Sequence, residues 1–106
     1  MTPESLLQAR AAARQQHLAT VDALRSLHER AVEALTDPAS CDRVRAAALA
    51  RVAQWEIGHL CHTSYVTTWR ALLNLPVAEL AVRVLSDSSE AVALRQNSPF
   101  GFLVAR

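Results

Sequence analysis

Apolar residues recur along this chain at steps of three and four, and no segment shows apolar–polar alternation of any length. That period belongs to amphipathic helices and not to strands. The first stripe is Leu18, Val21, Leu24, Leu27 or His28, Ala31 and Leu35. Upstream of it Thr2-Pro3-Glu4 supplies a hydroxyl cap, a proline for the first turn and an acid for the positive end of the helix dipole. Nothing interrupts the pattern between, so one helix is predicted over 3–36. At 1.5 Å per residue it would be close to 50 Å long, more than a compact domain of this size needs. Part of it is expected to pack on something other than its own domain.

Asp37-Pro38 repeats the cap-then-proline signal and predicts a second helix over 38–61, with Val44, Ala48, Val52 and Trp55 inward. Gly58 interrupts this run and weakens it by about 1 kcal/mol relative to Ala, which favours a bend or an early end. Thr63 or Ser64 is the expected cap of a third helix, 63–75, on the stripe Tyr65, Val66, Trp69, Leu72 and Leu73. Pro76 opens a fourth, 76–86, with Val77, Leu80, Ala81, Val84 and Leu85 on one face. Asp87-Ser-Ser-Glu90 resembles a capping box for a short fifth helix, 88–97. An apolar tail, 98–106, holds both phenylalanines. The prediction is all-α: a single small bundle of four to five helices with a long N-terminal helix and short connections.

Composition narrows the function. Half of the 106 residues are apolar and a fifth charged, which suits one globular unit and not a disordered tail. Eleven basic residues, all arginine, stand against ten acidic ones, so general attraction to nucleic acid is weak. No basic start followed by an apolar run reads as a leader, and no apolar stretch is long enough for a bilayer. A cytoplasmic protein without membrane contact is expected, with Cys41 and Cys61 as reduced thiols outside any zinc-type pair.

The richest chemistry lies between Trp55 and Trp69, a window with both tryptophans, the only tyrosine, Cys61, His59 and His62. Glu56, His59 and His62 are three apart and would share a helical surface, half of the ligand set used by di-metal carboxylate bundles. A second Glu-x-x-His is missing, though His17 and His28 share a face of the first helix. Cys61 and His62 point in different directions on a helix, so they form no nucleophile–base pair. No phosphate loop, serine elbow or paired-acid signal occurs. The expectation is a protein that is not an enzyme and carries no cofactor.

Helices two and three can also be read as a helix-turn-helix, with Arg43, Arg45, Thr63, Thr67 and Arg70 available to bases or phosphates in a dimeric regulator. Leu60 stands where such a turn usually has glycine, and the chain lacks a basic excess. The reading that best covers the sequence is protein–protein association through the long first helix and the tail. Its expected contact residues are Arg14, Leu18, Arg25, His28, Arg70, Phe100 and Phe102, in a chain that also forms a homodimer; arginine and aromatic side chains are common interface anchors. In size and Ala/Arg-rich composition the chain is similar to accessory proteins of bacterial phages and mobile elements, including inhibitors of host defence enzymes. That similarity rests on no motif. It implies an inhibitor, adaptor or regulatory subunit and assigns no site residues.

Overall fold

The computed structural model describes residues 2–104. Its elements in chain order are α1 (Pro3–Thr36), α2 (Cys41–Gly58), α3 (Thr63–Leu73), α4 (Val77–Val84), α5 (Ser89–Gln96) and a closing turn of 3-10 helix (Gly101–Leu103). No strand occurs among the described residues. The fold is a small all-α bundle with a long first helix, as the periodicity predicts.

Two ends of α1 are set by local chemistry. The Thr2 hydroxyl accepts the Ser5 N–H at 3.1 Å, with Pro3 in the first turn. At the other end the Asp37 N–H closes on the Glu33 carbonyl. The second helix does not begin at Pro38. The Asp37 carboxylate accepts the Ala39 N–H at 2.9 Å, and the Asp37 carbonyl accepts both Ser40 and Cys41 N–H. That turn holds residues 37–40 out of the helix, and the Ser40 hydroxyl ties it back to the Ala34 carbonyl at 2.7 Å.

Helix α2 ends at Gly58, three residues before the predicted end. His59 takes the left-handed conformation with φ of 51°, and the N–H groups of His59 and Leu60 both close on the Trp55 carbonyl. A Cβ at Gly58 would sit tightly against the Leu60 side chain, 3.1 Å from its Cγ. The next helix is capped by His62 instead of Thr63 or Ser64: imidazole Nδ1 accepts the Ser64 N–H at 3.1 Å. The fifth helix is capped by Ser88, which accepts the Ala91 N–H, so the Asp87–Glu90 capping box does not form. Residues 105–106 of the predicted tail lie outside the described residues.

The core is built from the predicted stripes. Leu27, Ala31 and Leu35 of α1 meet Val44, Ala48 and Val52 of α2, Val66, Trp69, Leu72 and Leu73 of α3, Leu80 and Val84 of α4, and Phe100. Helix α2 packs mainly on α3, and the C-terminal half of α1 crosses α2, α4, α5 and the closing turn. None of this touches the first half of α1. Every residue from 2 to 20 is exposed. The molecule measures 54 × 29 × 28 Å, with a radius of gyration of 16.3 Å, against about 13 Å for a compact chain of this length. The excess is the free half of the helix, a rod of roughly 27 Å that we call the arm.

Candidate functional site

Two arginines that look like surface charges are bound to helix ends. Arg45 donates to the carbonyls of Leu73 and Leu75, closing the C-terminus of α3. Arg95 is buried and donates to the carbonyls of Val84 and Ser86, each at 2.8 Å, closing α4. A cation there also suits the negative end of the helix dipole. Burial pulls the Arg95 pKa down, helped by the charge of Arg25 and opposed by Asp87. Outside it, Arg25 bonds Asp87 at 2.6 Å and reaches Glu29 at 3.8 Å.

Beside Arg95 lies a buried knot that joins α1, α3 and the tail. His28 is 0% exposed. Its ring stacks on Trp69 at 6.0 Å and meets Phe100 edge-on at 5.8 Å, while Trp69 and Phe100 are also edge-to-face. The tautomer follows from the partners. A carbonyl only accepts, so Nδ1–H donates to Leu24 O at 2.6 Å, and Nε2 accepts from the Ser98 hydroxyl at 2.7 Å. Ser98 Oγ in turn accepts the Phe100 N–H, and Trp69 Nε1 donates to Asn97 O at 2.7 Å. Burial lowers the His28 pKa; the Leu24 carbonyl opposes this and Arg95 adds to it.

This knot corrects the expected contact set. His28 and Phe100 are enclosed by their own chain, each fully buried and each in contact with the other and with Trp69. Neither is available to a partner. Phe102 is half-buried against Phe100 at 6.4 Å. Arg25 is engaged by Asp87 and Glu29, and Arg70 by Glu56 through two bonds of 3.0 and 3.3 Å. The Arg70 guanidinium holds the Glu56 carboxyl below its usual pKa, and Glu56 raises that of Arg70. Of the predicted contact residues, Arg14 and Leu18 stand fully clear, both on the arm.

The window from Trp55 to Trp69 is divided by the break after Gly58. Trp69 is the centre of the core, while Trp55, Tyr65 and Cys61 are half-buried around it. Glu56, His59 and His62 do not share a helical surface: Glu56 faces Arg70, His59 is the left-handed cap of α2, and His62 caps α3. No group of three or more metal-binding side chains occurs among the described residues. Both ring nitrogens of His28 are bonded, so it cannot join His17 in a ligand set.

The predicted nucleic-acid face is also reduced. Arg45 is bound to α3 carbonyls, Arg70 is neutralised by Glu56, and Thr67 Oγ1 donates back to Thr63 O at 3.2 Å. Thr63 and Arg43 remain exposed. One arginine does not make a basic patch.

Of the predicted contact surfaces, the one that remains open is on α1. Its arm exposes Leu6 by 40%, Leu7 by 64% and Leu18 by 56%. Leu7 and Leu18 are eleven positions apart, three turns, and so lie above one another on one face with Ala11 between. Arg14 lies on that face between the two leucines and Arg10 at its edge, and the ion pairs among the described residues, formed by Arg25 and Arg70, include neither. A second side of the helix forms the floor of a shallow groove of about 690 Å³, whose lining includes Ala12, Ala19, Ala23 and Leu27, with Val104 as a wall. No helix among the described residues is long and apolar enough to cross a membrane. No protein-family model, curated protein or solved structure matches the chain.

Proposed function

We propose that this chain is a non-enzymatic protein-binding module, an inhibitor, adaptor or regulatory subunit, that lays its arm into an apolar groove of another protein. The observation that carries the reading is the unbroken exposure of residues 2–20 on a continuous helix. A helix presented this way is bound through side chains on one face, spaced by whole turns. Leu7, Ala11 and Leu18 supply that face, and each leucine contributes roughly 2 kcal/mol when removed from water. Arg10 and Arg14 favour a groove with an acidic rim and add specificity and association rate. The arm is already helical, which lowers the ordering cost of binding.

The test is affinity purification from cells with the intact chain and with a Leu7→Glu/Leu18→Glu variant, followed by quantitative mass spectrometry. Both positions are exposed, so the variant keeps its core. A stoichiometric protein recovered with the intact chain and lost with the variant supports the reading. Recovery of no partner, or equal recovery with both, overturns it.

A further inference from the structure

The groove on α1 has a different side from the Leu7–Leu18 face, and its geometry names its occupant. We infer that the groove receives the arm of a second copy of this chain, in an antiparallel two-fold pairing of α1 with α1. The inference rests on the reading of the chain as a protein-binding module and adds a second, self-complementary surface to it.

The groove runs along α1 from Ala12 to Arg30. Its floor is made of small residues, Ala12, Ala19 and Ala23, so a second helix can approach to the short end of the usual 8–10 Å separation. Towards the bundle the floor becomes Leu24 and Leu27, and Val104 rises beside them, still 57% exposed. At its far end stands Arg30, exposed and in none of the ion pairs among the described residues. The matching acid is at the tip of the arm. Glu4 is exposed and likewise in none of those pairs.

Register and polarity follow from these two charges. Glu4 and Arg30 lie thirteen positions on either side of His17. A two-fold axis at the level of His17, perpendicular to the helix, sets Glu4 of each copy against Arg30 of the other. The Glu4–Arg30 pair then occurs twice in the dimer, once on each side of the axis. A parallel pairing in register would set Glu4 against Glu4 and Arg30 against Arg30, with the opposite sign of interaction. In the antiparallel register Leu6 falls at the level of Leu27 and His28. Leu6 also lies on the same flank of α1 as Leu24, about one-third of a turn from the Ala12–Ala19–Ala23 floor. Like flanks lie on the same side of an antiparallel pair, so Leu6 falls on the side that carries Leu24, Leu27 and Val104 of the other copy. Gln15 and Gln16, which also line the groove, lie next to the axis and can bond across it.

The overlap is long enough. From Glu4 to Arg30 the paired helices run for roughly 40 Å, against about 27 Å if the arms alone met. The longer contact, with the tail as a side wall, brings the buried area towards the ~800 Å² per partner of stable dimers. The Leu7–Leu18 face stays outside and remains open to the other protein.

Sedimentation velocity and light scattering over a range of concentrations test this with the full chain. The expected result is a dimer that Arg30→Glu or Glu4→Arg weakens by at least about tenfold in Kd, and that the double exchange restores to within about threefold, as coupled charges require. A monomer at every concentration overturns the inference, as does a dimer indifferent to Arg30→Glu, or a double variant no tighter than the singles. Those outcomes leave the partner capture, which reads the Leu7–Leu18 face, untouched. Recovery of no partner, or equal recovery with the Leu7→Glu/Leu18→Glu variant, beside an intact charge-exchange result would sink the protein-binding reading instead.

Discussion

Residues 3–20 and 21–36 are parts of one helix, yet different forces hold them. The lower half buries Leu27, His28, Ala31 and Leu35 and is anchored on four other elements. The upper half buries nothing. An isolated helix of that length is marginal in water because its first turn is expensive to nucleate, whereas each further residue adds to an existing nucleus at little cost. The anchored half is that nucleus, and the arm's run of Ala, Leu, Gln and Arg propagates it. Continuity of helix is therefore no measure of packing. The lower half belongs to the fold, and the arm is what the fold presents.

The largest expected contrast between the halves is in stability. Trp69→Ala removes the ring on which His28 stacks and the donor to Asn97 O, and should cost about 3–5 kcal/mol in urea denaturation. Leu18→Ala, on the arm, should change the same measurement by less than about 0.5 kcal/mol. A comparable loss from Leu18→Ala would mean that the arm is part of the cooperative unit, and the distinction between the halves would fail.

A smaller effect tests the lower half alone. His28 has a pKa lowered from 6.5, mainly by burial, so the folded chain binds fewer protons than the unfolded one just below that pH. Stability from this group is complete above the unfolded pKa. It falls as pH drops from about 6.5 towards the folded pKa, by about 1.4 kcal/mol for each pH unit between the two. In His28→Gln that slope should be absent from the difference between denaturation at about pH 7.5 and about pH 5. The variant and the native chain showing the same slope would place the titration elsewhere.

Much of this was legible beforehand, for a physical reason. The three- and four-residue period survives wherever a helix face is buried, so Val44, Ala48 and Val52, or Leu80 and Val84, could be read directly from their spacing. His28 lies on such a stripe, between Leu24 and Ala31, and its burial was visible as one of two choices. Arg95 also follows Ala91 at a core-facing step of four, a signal that an arginine there must bond inside the fold. The helix ends were less legible. A histidine in the left-handed position and another as a cap are uncommon choices, and neither His59 nor His62 carries a pattern that says so. Because the metal-like spacing assumed α2 continued to His62, the break at Gly58 removed that candidate site. The exposure of the arm was foreseen from length alone; which of its faces meets what was not, because alanine on every side leaves no strong periodicity.

The finest test of the comparison uses that alanine. Ala13→Gly weakens helix propensity by about 1 kcal/mol at one position. If the arm is held only by propagation from below, that loss is local. Amide hydrogen exchange should quicken from about residue 3 to residue 13, because fraying then begins at the new weak point, while the amides of residues 24–36 keep their protection. Global unfolding should shift by far less than the local loss, since the unfolded arm and the folded arm expose nearly the same apolar surface. Exchange in residues 24–36 that rose in step with the arm would show that the two halves open together, and the arm would then owe its helicity to packing. If α1 pairs with α1 as inferred, the same substitution should be partly masked at concentrations where the pair forms, since an arm seated in a second copy's groove gains an anchor at both ends. Comparing dilute and concentrated samples of the Ala13→Gly chain thus separates an arm supported from one side from an arm supported from two.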